Sequence, residues 1–164
     1  MAGSIYFAYG SNMASSQMTS RCPGAACLGI GRLPDYRLAF DAWSNHRAGF
    51  VADVLPAFGR DVWGVLWSVT EEHVESLDRF EGVSRRQYRR EKILVESARG
   101  EAIDAFAYVI CDPVEEGPTT HDYKALLLEG ATEHGLPSVW VDALEAISSL
   151  PAPLSPSSSN TIVP

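Results

Sequence analysis

The chain holds few of the residues that would commit it to metal, nucleotide or membrane chemistry. Cysteine is scarce: Cys22, Cys27 and Cys111 are the only three in 164 residues, and an odd number leaves at least one thiol unpaired. The C-x4-C interval of the first two misses the usual zinc spacings, so the thiols read as reduced ones in a cytoplasmic protein. His46, His73, His121 and His134 are scattered, with no H-x3-H or H-E-x-x-H interval, and no metal is expected from them. No Gly-Lys-Ser/Thr phosphate loop occurs, and Gly29-Ile30-Gly31 lacks the third glycine of a dinucleotide fingerprint, so no cofactor is expected either. There is no apolar run of about 18 residues and no basic leader before Ser11, which argues against membrane insertion and export. Positive charge is in the minority: 13 Lys and Arg face 21 Asp and Glu, and the resulting net charge of −8 disfavours nucleic acid and anionic lipid as partners.

What is present is a core. Hydrophobic residues make up 46% of the chain and charged ones 21%, with four Trp, six Tyr and six Phe to fill the interior. A chain of this length can bury roughly 70% of its unfolded surface and still hold a concave site. Residues 1–150 read as one domain, and 151–164 as a Pro/Ser-rich tail without aromatics.

Ser4 to Ala8 alternates in the manner of a strand and Gly10 punctuates its end. Ser11 or Asn12 is placed to cap a short helix to about Arg21, ahead of Pro23-Gly24. Strand pieces follow at Gly31–Leu33 and Tyr36–Phe40, then a polar loop at Ala42–Gly49. Phe50–Leu55 and Val62–Val69 read as two strands of a hairpin whose link is Pro56–Asp61. Thr70 caps a helix with Glu71 and Glu72 in its first turn, Val74, Leu77 and Phe80 on one face, and Gly82 as the left-handed stop. Tyr88–Glu96 and Ala102–Cys111 form a second hairpin, Thr120 caps a helix to about His134, and Trp140, Leu144 and Ile147 mark a last short one.

Two places carry possible chemistry. In Tyr9-Gly10-Ser11-Asn12, a strand runs into consecutive N–H groups at a helix start, which suits a carboxylate or another anion, although such residues also build plain turns. Glu81 stands at a helix C-terminus, where the negative end of the dipole raises a carboxyl pKa and favours proton acceptance near neutrality. A solvated helix-end glutamate is the plain alternative for Glu81, and Asp78, one turn earlier, is its competitor. Arg85, Arg86, Arg89 and Arg90 read as a solvated basic face balancing nearby acids, with an anion-binding patch as the alternative, and Cys111 reads as a small buried hydrophobe. Tyr88 and Tyr123 each open an element in polar company, where a phenol can reach into a pocket or close the core edge.

Taken together, Phe7-Ala8-Tyr9-Gly10-Ser11-Asn12 and Leu77-Asp78-Arg79-Phe80-Glu81-Gly82-Val83 resemble the γ-glutamylcyclotransferase family. Val62-Trp63-Gly64-Val65-Leu66-Trp67 before the helix is similar to the family's strand signature, and Tyr123-Lys124, Gly130-Ala131 and Gly135-Leu136-Pro137 to its C-terminal helices; the resemblance spans about Ile5 to Ile147. It implies an α+β fold, a small mixed-strand β-barrel with flanking helices and the site at its mouth. By matching motif, Glu81 is the implied acid/base, while Tyr6, Phe7, Ala8, Tyr9, Gly10 and Ser11 line a γ-glutamyl pocket through backbone groups, with Asn12 beside them, and Tyr88 and Tyr123 also contact the substrate. The implied reaction is attack of the substrate's own α-amine on its γ-carbonyl, giving 5-oxoproline and a free amine without cofactor or metal. The partner is then a small γ-glutamyl molecule, and a homodimer is compatible with the family. Tyr-Gly-Ser-Asn, in place of the Tyr-Gly-Ser-Leu loop of the glutathione-specific branch, places the chain nearer the general γ-glutamyl amino acid branch or the antibiotic-tailoring branch. A non-catalytic ligand-binding or stress-response domain on the same fold is the alternative.

Overall fold

A computed structural model describes residues 3–151; the expectation of a tail beyond Leu150 lies, apart from Pro151, outside the described residues. Five strands close into a barrel: β1 (Ser4–Ala8), β2 (Ala26–Ser44), β3 (Gly49–Val69), β4 (Tyr88–Ser97) and β5 (Ala102–Ile110). Around the barrel the order is β1-β3-β2-β4-β5. Neighbours run antiparallel except where β1 meets β5, the parallel contact at Tyr6 and Phe106 that closes the ring. Closure removes the exposed strand edges that invite aggregation. Four helices flank it: α1 (Ser15–Arg21), α2 (Glu71–Phe80), α3 (His121–Glu133) and α4 (Ser138–Glu145). The mixed barrel with flanking helices is the α+β architecture expected from the sequence.

Phe7, Leu33, Val54, Val62, Val65 and Leu66 fill the barrel with no more than 1% of any exposed, and Leu77, Leu127 and Leu144 seal helices onto it. Burying a side chain of this size contributes about 1.5–3 kcal/mol. The capping signals act as read. Thr70 Oγ1 accepts from His73 N–H at 3.2 Å while His73 Nδ1 accepts from Thr70 N–H, and Thr120 Oγ1 accepts from Tyr123 N–H at 3.1 Å.

Four expectations need correction. The start of α1 is capped by Ala14 without a side-chain bond, because Ser11–Met13 first form a separate 3₁₀ turn. The span Ala42–Gly49 is half strand: β2 runs to Ser44, β3 begins at Gly49 and Trp43 pairs with Phe50, leaving only four residues of turn. Pro56–Asp61 links no hairpin. Tyr36 pairs with Pro56 and Pro34 with Asp61, so the intervening residues bulge out of one continuous strand, with Asp35 (φ 61°) and Gly59 (φ 78°) turning the chain and Asp35 Oδ1 accepting from Gly59 N–H. β2 also begins earlier than read, at Ala26.

Candidate functional site

The site is assembled where β1 ends, α2 ends and the β2–β3 hairpin folds over. After the fully buried Phe7 and Ala8, the chain turns at Gly10 into the Ser11–Met13 turn; Met13 N–H closes onto the Gly10 carbonyl and Ala14 N–H onto that of Ser11. The N–H groups that open the turn keep their outward hydrogen-bonding capacity. Gly10 has φ −112°, so the turn does not need positive φ there. It needs space: a Cβ at this position would meet the Tyr123 hydroxyl at 3.0 Å and the Ala52 Cβ at 3.6 Å.

On α2, Glu81 is the C-cap residue and Gly82 (φ 64°) turns the chain away in the left-handed conformation. The Glu81 side chain is 17% exposed and faces the turn after β1, where Asn12 Nδ2 donates to its Oε1 at 3.2 Å and to the Tyr6 hydroxyl at 3.0 Å. Arg21 Nη1 stands 3.8 Å from the carboxylate and donates to Asn12 Oδ1 at 3.1 Å. Gln17 Nε2 donates to Asn12 Oδ1 at 2.8 Å and Ser11 Oγ at 2.6 Å, and Arg47 Nη2 donates to Gln17 Oε1 at 2.8 Å. The Arg47 guanidinium lies over the Tyr123 ring, 4.9 Å from its centre.

Burial raises the Glu81 pKa above the ordinary glutamate value, against the pull of Arg21, Arg47 and the Asn12 amide. Burial likewise raises Tyr6, Tyr9, Tyr88 and Tyr123, so all four are neutral phenols at physiological pH. Tyr88 donates to the Ala52 carbonyl at 2.7 Å, Ala52 N–H donates to the Tyr123 hydroxyl at 3.1 Å, and Tyr9 donates to the Tyr108 carbonyl. One residue of β3, Ala52, is thereby held through its N–H and its carbonyl by two phenols at the cavity wall.

The cavity measures about 650 Å³ and is lined by Tyr6, Tyr9, Gly10, Ser11, Asn12, Glu81, Tyr88 and Tyr123, with Trp43, Asn45, His46 and Arg47 contributed by the hairpin. Eight of the ten site residues expected from the sequence thus converge on it. Phe7 and Ala8 do not; both side chains are fully buried in the barrel core and neither lines the cavity. Asp78 also stands aside, accepting from the Tyr108 hydroxyl at 2.7 Å and pairing with Arg90 at 3.4 Å. Arg85, Arg86, Arg89 and Arg90 are all exposed as expected, and Arg85 also borders the cavity. Cys111 is only half-buried, at the strand end; Cys22 is the fully buried thiol. Sequence reasoning missed Gln17, Arg21 and Arg47. The first two share a face of α1 by their i, i+4 spacing, a signal that was available; Arg47 lay in a segment without pattern.

Among the described residues no three His, Cys, Asp or Glu side chains gather as metal ligands, and no helix is long and apolar enough to cross a membrane. A closed mixed barrel with a buried, arginine-flanked carboxylate at its mouth defines the class, and comparison with known proteins agrees. Residues 61–144 match the AIG2-like family. The chain is 33% identical over 147 residues to the γ-glutamylcyclotransferases of Mus musculus and Homo sapiens, covering 87% of this chain and 78% of each of them. A solved structure of a γ-glutamyl cyclotransferase superposes with a TM-score of 0.88 at 30% identity, covering 93% of this chain and 92% of that one. The chain belongs to the γ-glutamylcyclotransferase family.

Proposed function

We propose that the protein is a metal-independent γ-glutamylcyclotransferase of the cytoplasm, with residues 1–150 working as one catalytic domain and Glu81 as its general acid/base. The observation that carries this reading is the pairing of one buried carboxylate, raised in pKa, with two guanidiniums in a cavity otherwise walled by neutral phenols. A γ-glutamyl group presents an α-ammonium and an α-carboxylate on one carbon. Glu81 complements the first, and Arg47 or Arg21 the second.

The chemistry then asks little of the protein. Held folded, the substrate places its α-amine a five-membered ring away from the γ-carbonyl, and effective molarities for such attack reach roughly 10⁵ M or more. Glu81 takes a proton from the ammonium, the freed amine attacks the γ-carbonyl carbon, and the protonated Glu81 returns that proton to the departing nitrogen as the C–N bond breaks; the ring nitrogen gives up its remaining extra proton to the released amine, which leaves as an ammonium. The products are 5-oxoproline and the free amine. The opening N–H groups of the Ser11–Met13 turn are suited to the developing oxyanion. The amine half would extend toward Trp43, Asn45 and His46, which the hairpin contributes to the cavity lining.

The test is a panel of γ-glutamyl amino acids and γ-glutamyl amines incubated with the protein, with 5-oxoproline and glutamate assayed separately. Release of 5-oxoproline with an equal amount of amine supports the reading. Glutamate as the product would make the protein a hydrolase, and binding without either product would make it a non-catalytic module.

A further inference from the structure

Behind the cavity wall stand two carboxyls that the reaction does not use. Asp41 on β2 is 2% exposed and Asp53 on β3 is fully buried, and they face each other within hydrogen-bonding reach across the register shift between Ala39 and Ala42. Asp53 Oδ1 accepts from Val54 N–H at 2.8 Å and from Ile110 N–H at 3.0 Å, tying β3 to the end of β5. Among the described residues no donor reaches Asp53 Oδ2 or either oxygen of Asp41. Three buried carboxyl oxygens without a donor would be strongly disfavoured, and two adjacent buried charges more so.

We propose that Asp41 and Asp53 hold one proton between them and act as positioning residues for the catalytic cavity, fixing the β3 segment whose Ala52 peptide orients Tyr88 and Tyr123. A shared O–H···O bond satisfies both facing oxygens and leaves a single negative charge on the pair. Ala52 is the residue next to Asp53, and its carbonyl and N–H are the groups bonded by the two phenols. The surroundings offer no guanidinium or ammonium in contact with either carboxyl to support a second ionisation. Asp41 is faced by Glu116 and by Arg37, whose guanidinium is engaged with Glu116 at 3.3 Å. Asp53 is faced by Asp41, by the neutral Tyr9 and Tyr88, and at longer range by the exposed Arg89.

Burial accordingly raises both carboxyls, Asp53 to about 7 from an ordinary 3.8. The folded state therefore keeps a proton that the unfolded chain loses near 3.8, so stability falls as pH rises between those two values. Above them the pair carries two charges, the β3 segment loosens, and catalysis declines on its alkaline side.

The experiment compares the wild-type protein with Asp41→Asn, whose amide donates permanently to Asp53, and with Asp53→Asn, which reverses donor and acceptor. Thermal midpoints are followed from about pH 4 to about pH 9. Relative to Asp41→Asn, the folding constant of the wild type should fall about tenfold per pH unit up to the pair's titration, then run parallel. Infrared difference spectra of the wild type itself should show a protonated carboxylic acid at neutral pH that is absent from Asp41→Asn. In the cyclisation assay the alkaline limb of kcat should be displaced upward in Asp41→Asn with KM little moved. Its catalytic consequence rests on the cyclotransferase reading, and the two fail separately: a wild-type protein releasing no 5-oxoproline defeats that reading, while the infrared band and the melting profiles still decide the shared proton. A wild type without a protonated carboxyl band, or with the same pH dependence of melting as Asp41→Asn, overturns the proposal. An alkaline limb of kcat unmoved in Asp41→Asn overturns the positioning role.

Discussion

At the scale of single residues, the site works through a division of charge. Glu81 is held by Asn12 and flanked by Arg21, while Arg47 bonds Gln17 and lies over the Tyr123 ring, so one carboxylate and two guanidiniums share the cavity wall. Two consequences separate them. Because burial raises Glu81 above the ordinary glutamate value, and because it must be ionised to accept a proton, kcat/KM should rise with pH along a limb above that value. A profile at constant ionic strength with its acidic limb at or below about 4.3 would contradict this. Arg47→Met should instead raise KM about tenfold or more, the cost of a lost charge-assisted bond, with a smaller change in kcat. Initial rates across substrate concentration decide it, and an unaltered KM would remove Arg47 from carboxylate recognition. Tyr123→Phe leaves the Ala52 N–H without its acceptor and should destabilise the fold by about 1–3 kcal/mol, measurable by denaturant titration.

At the scale of elements, α2 and the β2–β3 hairpin carry the site, and they differ in how openly the sequence declares them. The helix was legible from Thr70 to Gly82, since its cap, its apolar spacing and its left-handed stop are local signals. Gly82 sits at φ 64°, and a Cβ there would meet Gln87 Oε1 at 2.8 Å. Gly82→Ala should therefore cost about 1–2 kcal/mol of stability and lower kcat by displacing Glu81, with both effects read from one preparation by chemical denaturation and by rate. Full stability in that variant would mean the turn relaxes without strain. The hairpin was misread for a physical reason. Pro56, Gly59 and Asp61 carry real turn chemistry, but it serves a bulge around Asp35, and pairing with the long β2 overrides it. Correct pairing depends on partners more than 20 residues apart, at Pro34 and Asp61, which no local pattern records. Arg47 was lost with it, because a polar turn gives no sign of which cavity it overhangs.

At the scale of the whole molecule, closure of the barrel is what brings distant segments into one site. Tyr6 touches Phe106 across the parallel seam, and the ends of β1, α2 and β4 then surround a single cavity with the hairpin as its fourth side. The first and last site residues, Tyr6 and Tyr123, were recognisable by motif; the buried pair Asp41 and Asp53 was not, since only the three-dimensional pairing of β2 with β3 reveals that two carboxyls meet. The central claim remains that this enclosure turns one buried carboxylate into the proton shuttle of an intramolecular cyclisation. Its most direct test is the rate of 5-oxoproline release by wild type and by Glu81→Gln, with folding of the variant verified by its thermal midpoint. The account predicts a folded variant whose kcat is lower by ~10²–10⁴-fold, the usual contribution of a general acid/base. A folded Glu81→Gln protein that cyclises substrate within a few-fold of wild type would contradict it.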